Sequence, residues 1–306
     1  MPLAISTSWN ASFHNNGKDL VGELEHFGFK TLELSFNLTC DMVEDVFLLQ
    51  QQGLVKVLSV HNFCPIPDGV ERKVALPDYY SLSSLDKAER EKALFFARRT
   101  IDTAERLDKA IAVFHTGKVD IQDKTKILIR LYDDGKRDSK EFTTIKKLMI
   151  EERQVKIRPH LEIILGSLGV LLQYAKGKGI KLGIENRYYF REIPSLEEFA
   201  IIFDNFKDLY YWHDVGHAQL WENLGFLNHL DYLHRFSNRM IGIHLHDIKG
   251  AEDHLPPLRG DFDFTKLLPF MKPETVKVIE AHYPATSEEI KNSAEYLGNL
   301  FKEELV

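Results

Sequence analysis

Eight short apolar segments alternate with amphipathic stretches along the whole chain, and this alternation restricts the fold more than any other feature. The segments span residues 3–7, 31–36, 55–61, 110–115, 180–185, 209–214, 240–247 and 276–282. Each is a nearly continuous apolar run, as parallel strands covered on both faces usually are. Eight β–α units predict an α/β fold of the (β/α)8 TIM-barrel type, in a single domain over residues 1–306.

A doubly wound sheet is the alternative for a chain of alternating strands and helices. Such sheets more often have about five or six strands, and a glycine-rich phosphate loop follows the first of them. The sequence has no GxGxxG after its first predicted strand and no GxxxxGKS/T motif. The absence of both motifs favours the barrel.

Three sites match the capping box, in which the first side chain of a helix and a Glu three residues later accept hydrogen bonds from each other's backbone amides. They are Asp41 with Glu44, Ser195 with Glu198, and Thr286 with Glu289. Each pair follows a predicted strand and therefore predicts the start of the next helix.

Two connections are longer than a barrel unit needs. Residues 64–84 form a long loop after the third strand, and a charged insertion occupies about 118–157 after the fourth. The loops after the carboxyl ends of the strands build the active sites of barrel enzymes, so both segments are candidates to cover a substrate. A solvated helical hairpin without chemistry is the alternative.

Composition narrows the class of protein. The net charge is −7, so no overall basic field attracts nucleic acid or an anionic membrane. No apolar run reaches about 18 residues, and the N-terminal segment lacks the features of a signal peptide. The two cysteines, Cys40 and Cys64, form no CxxC pair and predict free thiols. We expect a soluble cytoplasmic protein.

Polar side chains collect where the predicted strands end. They are His61, His115, Glu185, Asp214, His217, His244, His246 and Glu280 near strand ends, with Asp253 and His254 in the loop after the seventh strand. The carboxyl ends of all barrel strands meet at one mouth, so these side chains should converge. Side-chain alternation lets His244 and His246 both face inward, and we expect Asp214 rather than His213 to face inward from the sixth strand.

A cluster of this kind has two explanations. A single histidine or carboxylate at a strand end is usually a structural hydrogen-bonding group. Many carboxylates packed together, however, raise each other's pKa unless a cation neutralises them. Imidazole and carboxylate ligands without thiolates suit Zn²⁺, Mn²⁺, Co²⁺ or Fe²⁺, and Mg²⁺ less well. The convergence therefore predicts a divalent metal site.

Seven motifs at these positions resemble the xylose isomerase-like TIM barrels. This superfamily includes sugar and sugar-phosphate isomerases and epimerases and the endonuclease IV-type abasic-site nucleases. The motifs are VHNFCP (60–65), VFHTG (113–117), GIENR (183–187), DVGHA (214–218), GIHLHD (242–247), DHLPPLRGDFDF (253–264) and IEAHYP (279–284). The resemblance covers the chain apart from the insertion.

The resemblance implies a set of metal ligands. In the isomerases and epimerases a single ion is held by residues that match Glu185, Asp214, His244 and Glu280. In the nucleases three zinc ions use further ligands, which match His61, His115, His217, His254 and a neighbouring carboxylate. Asp253 is the candidate for that carboxylate, although Glu252 fits the spacing better.

As an isomerase or epimerase, the protein would act on a small-molecule sugar or sugar phosphate. The metal would act as a Lewis acid, while Glu185 and Glu280 exchange the proton of a substrate carbon through an enediolate. Further predicted substrate contacts are Trp9, Glu33, Arg187, Lys249 and Arg259. The three basic residues among them are candidates for holding a phosphate or carboxylate.

Two alternatives stay open. An abasic-site nuclease would need a basic groove. The basic residues of the insertion are interrupted by Asp133, Asp134 and Asp138, so nucleic acid is not an expected partner. A metal-binding barrel without turnover could act as a sensor, but both proposed catalytic Glu residues are present. We favour the isomerase, and since related barrels often pair through their helices, a homo-oligomer is a further expectation.

Overall fold

The computed structural model describes residues 3–302 and shows a closed barrel of parallel strands. The strands are β1 (Leu3–Ser6), β2 (Thr31–Leu34), β3 (Lys56–His61), β4 (Ile111–Phe114), β5 (Leu182–Glu185), β6 (Leu209–Asp214), β7 (Met240–Leu245), β8 (Asp247–Lys249), β9 (Glu252–Leu255) and β10 (Val276–Ile279). The order around the barrel is β1-β10-β7-β6-β5-β4-β3-β2. All eight predicted barrel strands and the TIM-barrel fold are confirmed.

The strands β8 and β9 form an antiparallel hairpin that the sequence did not predict. The barrel strand β7 ends at Leu245, two residues before the predicted end, and Asp247 already belongs to the hairpin. Gly250 turns the chain between β8 and β9 with a φ of +62°, which glycine adopts without steric cost. The hairpin brings Asp253 and His254 back over the barrel mouth.

The helices are α1 (Gly17–His26), α2 (Cys40–Gln51), α3 (Lys87–Arg106), α4 (Thr125–Asp133), α5 (Lys140–Lys178), α6 (Leu196–Asn205), α7 (Val215–Asn223), α8 (His229–Phe236) and α9 (Ser287–Phe301). The capping boxes at Ser195 and Thr286 are confirmed. The capping box predicted at Asp41 is wrong, because Thr39 caps α2 by accepting from the Met42 amide and Asp41 lies in the first turn.

The charged insertion has no boundary at residue 157. Its second half is the start of α5, a single helix of 39 residues that continues into the barrel's outer layer. Arg153 and His160 on this helix are buried, although the helix surface is otherwise rich in charge. Despite the length of α5, no helix in residues 3–302 is apolar enough to cross a membrane.

The barrel interior is filled below the mouth by a small apolar cluster. Its largest member is Trp212, which is fully buried and packs edge to face on His244 with ring centroids 5.2 Å apart. Gly242 makes room for this indole, since a Cβ at that position would lie 2.0 Å from a Trp212 ring carbon. The floor of the barrel thus supports a polar layer at its carboxyl end.

Candidate metal centre

Four neighbouring strands bring together the residues predicted to hold a metal. Glu185 ends β5, Asp214 ends β6, His244 lies near the end of β7, and Glu280 follows β10. Asp214 pairs with His244 in the strand register, and His244 pairs with Val278 two residues before Glu280. One ligand atom from each of the four residues lies within 4.8 Å of the others, and all four side chains are buried.

His244 lies at the centre of this group. Its Nδ1 is 2.6 Å from Glu185 Oε1, 2.9 Å from Glu280 Oε2 and 3.6 Å from Asp214 Oδ2. Its Nε2 faces Glu33 Oε1 at 3.0 Å. Burial alone would lower the pKa of His244, but the charges of Glu280, Glu33 and Glu185 hold that pKa well above its usual value.

The donor set fits a divalent ion. Three buried carboxylates and one imidazole surround one point, and a fourth carboxylate, Glu33, lies directly behind the imidazole. Burial would raise the pKa of Glu185 and Asp214, yet neighbouring histidines hold both pKa values well below the usual range. A site that keeps its carboxylates ionised in this way needs positive charge, and oxygen and imidazole donors suit Zn²⁺, Mn²⁺ or Co²⁺.

A second group of donors lies on the β3–β4 side of Glu185. Oε2 of this carboxylate is 3.3 Å from His61 Nε2 and 2.6 Å from His115 Nε2. Nδ1 of His115 is 3.0 Å from Asp78 Oδ2. A carboxylate behind an imidazole fixes the ring orientation and is a common support for a metal-binding histidine.

A third group lies beneath the β8–β9 hairpin. Asp253 Oδ2 is 2.9 Å from His254 Nδ1 and 4.0 Å from His217 Nε2. His254 adopts a φ of +54°, which is uncommon outside glycine and typical of functional positions. Glu252, which fitted the family spacing better, is exposed, so Asp253 is the carboxylate that the fold brings to the cluster.

His246 and His213 play supporting parts. His246 Nε2 is 3.0 Å from both oxygens of Asp214, while its Nδ1 accepts from the His254 amide at 2.9 Å. His213 points away from the cluster and lies 2.6 Å from the Tyr211 hydroxyl and 3.0 Å from His229. Asp214 therefore faces the lumen and His213 the helix layer, as the alternation along β6 implies.

A cavity of about 480 Å³ lies above these groups. It is lined by Phe36, His61, Leu76, Pro77, Asp78, His115, Lys118, Glu185, Arg187, Tyr188, Tyr189, Arg191, Glu192, His217, Asp253, His254, Glu280 and His282. The long loop after β3 contributes Leu76 to Asp78, which agrees with its expected role as a cover. The volume is that of an ordinary small-molecule site.

Arg187 connects Glu185 of the candidate metal centre to the cavity wall. Its guanidinium donates to Asp78 Oδ2 at 2.8 Å, to Glu192 Oε1 at 3.1 Å and to Glu185 Oε2 at 3.3 Å. Burial opposes the charge, but Glu192 and Asp78 raise the pKa of Arg187 above its usual value. A permanently charged side chain thus holds three carboxylates in fixed positions.

Three of the predicted substrate contacts lie outside the cavity. Trp9 is a core residue whose indole N–H donates to Ala285 O at 2.8 Å. Lys249 is exposed at the end of β8 and does not line the cavity, and Arg259 is exposed and pairs with Glu289 at 3.3 Å. Sequence position near a strand end did not reveal in which direction these side chains point.

The position of Glu33 also differs from the expectation of a substrate contact. It is fully buried, accepts from Ser59 Oγ at 2.7 Å and supports His244 from below. Asp78, Lys118 and Glu192, by contrast, line the cavity and were missed. They lie in loops, where neither hydrophobic period nor strand ends mark a functional residue.

Comparisons with known proteins agree with this architecture. The family model described as a xylose isomerase-like TIM barrel matches residues 21–300. No curated protein matches the sequence. Among solved structures, a D-tagatose 3-epimerase-like protein is 18% identical, with a TM-score of 0.66 and coverage of 99% of this chain and 97% of that one.

Two further structures have the same fold. The 3-keto-D-glucoside 4-epimerase from E. coli is 17% identical, with a TM-score of 0.67 and coverage of 98% and 99% of the two chains. A Thermus thermophilus protein soaked with ZnCl2 is 19% identical, with a TM-score of 0.57 and coverage of 99% of each chain. Because the family model covers most of the sequence, the chain belongs to the xylose isomerase-like TIM-barrel family.

Proposed function

We propose that the protein is a divalent-metal-dependent isomerase or epimerase of a sugar or sugar phosphate. One observation carries this proposal. Glu185 and Glu280, which come from opposite sides of β6 and β7 in the barrel order, both contact His244 Nδ1 and both line the cavity. Two carboxylates on either side of a ligand position are what proton exchange at one carbon requires.

The metal would be held by Glu185, Asp214, His244 and Glu280. A divalent ion bound there supplies Lewis-acid chemistry, which makes a C–H next to a sugar carbonyl more acidic. The structural relatives named as epimerases favour this reading, since they share the barrel over nearly the whole chain.

The two glutamates would move the proton. Burial raises the pKa of Glu280, but His244 outweighs burial and lowers that pKa to about 2, so the carboxylate is ionised at neutral pH. Glu185 is ionised for the same reason. In an epimerisation one carboxylate takes the proton from one face of the carbon and the other returns a proton to the opposite face.

The cavity walls would hold and orient the sugar. Tyr188, Tyr189 and Phe36 offer apolar faces to sugar C–H groups, while Asp78 and Glu192 offer acceptors for hydroxyl hydrogens. The buried guanidinium of Arg187 keeps these two carboxylates in place.

Solvent isotope exchange tests the proposal directly. Protein loaded with Mn²⁺, Co²⁺ or Zn²⁺ is incubated in D2O with a panel of ketoses and ketose phosphates, and the sugars are analysed by NMR and mass spectrometry. We expect deuterium at one carbon next to the carbonyl, together with the isomer or epimer, and neither product after chelation. Absence of exchange across the whole panel with metal-loaded protein would overturn the proposal.

A three-metal phosphodiesterase is the second candidate. The observation in its favour is that three donor groups share or adjoin the same cavity: His61 and His115 with Glu185, the four central ligands, and His217 with Asp253 and His254. Against it, cations of the insertion pair with nearby acids, as in Lys147 with Glu151 and Lys156 with Glu152. Such pairing leaves less free charge for a DNA backbone.

Metal stoichiometry separates the two candidates. Protein purified without added metal or chelator is analysed by inductively coupled plasma mass spectrometry. One divalent ion per chain favours the isomerase. Two or three zinc ions would call for an abasic-site cleavage assay, with His217→Ala expected to remove one ion from the count.

A further inference from the structure

We propose that the outer part of the cavity binds an anionic group of the substrate, a phosphate or a carboxylate, through the ammonium of Lys118. The inference rests on the proposed function, because it places this group on the sugar that the metal centre would process. It names a substrate class, and it assigns the anion to a residue of the loop after β4.

Lys118 brings a positive charge to the cavity wall without a close ion-pair partner. Lys118 is half-buried in the cavity wall, and its ammonium lies within 4.0 Å of no carboxylate of residues 3–302. Of the other cations of the wall, Arg187 pairs with Asp78 and Glu192, whereas Arg191 Nε lies 3.6 Å from Asp123 without a hydrogen bond. At longer range the charge of Lys118 helps to lower the pKa of the Asp78 carboxyl, but a bound anion would form the close charge-assisted contact that no protein carboxylate makes with this ammonium.

The acidic side chains of the cavity wall, Asp78 and Glu192, already have hydrogen-bond partners. Oδ2 of Asp78 lies 2.8 Å from an Arg187 nitrogen and 3.0 Å from His115 Nδ1. Glu192 accepts from Arg187 with one oxygen and from the Tyr189 amide with the other. Lys118 is thus a cation of the wall that no carboxylate of residues 3–302 engages at close range, while Asp78 and Glu192 are held by Arg187.

The fold holds the backbone of Lys118 in place. Ser83 Oγ accepts from the Lys118 amide and donates to the Lys118 carbonyl, each at 2.9 Å. Lys118 also forms an antiparallel bridge with Glu192, so the two side chains start from paired positions. Arg153 from α5 in turn donates to the Glu192 carbonyl at 2.8 Å.

Gly117 belongs to the same arrangement. Its φ is +112°, and a Cβ there would lie 2.2 Å from Ser81 Oγ and 2.4 Å from Ser83 Oγ. The backbone before Lys118 is therefore pressed against the loop after β3. Because the backbone is already fixed, only the rotational freedom of the Lys118 side chain is lost when a ligand binds.

The cavity has room for a substituted sugar. Its volume of about 480 Å³ is within the range of roughly 300–1,000 Å³ that drug-sized ligands fill, and its lining includes Lys118 as well as Glu185 and Glu280. A sugar held by these two glutamates would therefore share one cavity with the ammonium of Lys118.

Calorimetric binding tests this inference independently of turnover. Metal-loaded protein is titrated with fructose, with fructose 6-phosphate and with the keto acid fructuronate. Three variants are compared: Lys118→Met, Lys118→Arg, and Lys56→Met, which removes an exposed lysine at the start of β3, on the opposite face of the barrel. Inorganic phosphate is titrated as well. If Lys118→Met leaves the affinity for phosphate unchanged, phosphate binds at the metal centre and not at Lys118.

We expect one anionic sugar to bind at least about tenfold more tightly than fructose, as a charge-assisted contact provides. Lys118→Met should abolish this difference without weakening fructose, Lys118→Arg should keep most of it, and Lys56→Met should have no effect. Preference for fructose 6-phosphate identifies the group as phosphate, and preference for fructuronate identifies a carboxylate.

Equal affinity for all three sugars, or an equal loss for all three in Lys118→Met, would overturn the inference. The two proposals fail in different ways. Isotope exchange into neutral ketoses without preference for an anion leaves the isomerase intact and removes the anion subsite. Lysine-dependent anion binding without exchange into any sugar supports the subsite and removes the isomerase.

Discussion

The Nδ1 atom of His244 lies 2.6 Å from Oε1 of Glu185, and the same nitrogen lies 2.9 Å from Oε2 of Glu280. Glu33 faces the other nitrogen of the ring. One imidazole therefore stands among three buried carboxylates, which would repel each other without a positive charge between them. Either a proton on His244 or a bound cation supplies that charge, so a cation bound at this site would add to the stability of the barrel.

Removal of the metal should destabilise the protein. An ion that binds only the folded state, and whose free concentration is 100 times its Kd, adds about 2.7 kcal/mol to the free energy of unfolding. We expect a chelator to lower Tm by several degrees and restored Mn²⁺, Co²⁺ or Zn²⁺ to raise it again, as measured by scanning calorimetry. An identical Tm with and without chelator would contradict a structural link between ion and carboxylates.

Neutral replacements of the two glutamates should stop turnover while the fold survives. Glu185→Gln and Glu280→Gln keep the side-chain shape but remove the base, so we expect a loss of about 10²–10⁴ in kcat. Glu252→Gln, on the exposed face of the hairpin, is the matched control and should keep full activity. Circular dichroism establishes that the fold is intact. Wild-type activity in either cavity variant would refute the acid–base pair.

The buried ion pair between Arg153 of α5 and Glu198 of α6 should stabilise the fold more than an exposed ion pair on α5 does. Arg153 Nη2 lies 2.8 and 2.7 Å from the two oxygens of Glu198, and Nη1 donates to Phe190 O at 2.7 Å. Loss of one partner of a buried pair costs about 3–5 kcal/mol. We expect Arg153→Met to lower the urea midpoint strongly.

The exposed pair of Arg158 and Glu162 on the same helix provides the control. Exposed ion pairs contribute little, so Arg158→Met should leave the urea midpoint almost unchanged. Equal midpoints for the two variants would mean that Arg153 is not an anchor of the loop after β5.

The pair of His213 and His229 should make stability depend on pH. Burial lowers the pKa of His213 to about 3 and that of His229 well below its usual value, and the Nε2 atoms of the two rings lie 3.0 Å apart. Because the unfolded chain binds protons near pH 6.5 and the folded chain does not, these groups stabilise the fold above that pH. Their contribution is lost progressively as the pH falls from about 6.5 towards about 3.

In the variant His229→Gln the stability should depend less on pH than in the wild type. Each such histidine adds a slope of up to about 1.4 kcal/mol per pH unit to the free energy of unfolding. We expect the slope between pH 6.5 and 4.5 to be shallower in His229→Gln than in the wild type, from urea titrations of metal-loaded protein. The exposed residue His26 gives the control His26→Gln, and equal slopes in all three proteins would contradict the prediction.

The barrel and the convergence of polar side chains at its mouth could be predicted from strand periodicity, whereas the choice of four of them as metal ligands came from the resemblance to a known family. Apolar runs mark the strands, and a polar residue at the end of a run in a parallel barrel points to the common mouth. Glu185, Asp214, His244 and Glu280 meet for this reason, as do His61 and His115. The closed ring of strands converts distance along the chain into adjacency in space.

Residues in loops could not be placed in this way. Trp9, Lys249 and Arg259 lie near strand ends yet point into the core or the solvent, whereas Asp78 and Lys118 reach the cavity from loops with no periodic pattern. Their positions depend on contacts between distant segments, such as the hydrogen bonds of Ser83 with Lys118. The sequence by itself thus determined the fold and the set of polar side chains that meets at the barrel mouth, since both depend on local patterning. Only the tertiary structure decided the cavity wall, because packing between loops sets the direction of each side chain there.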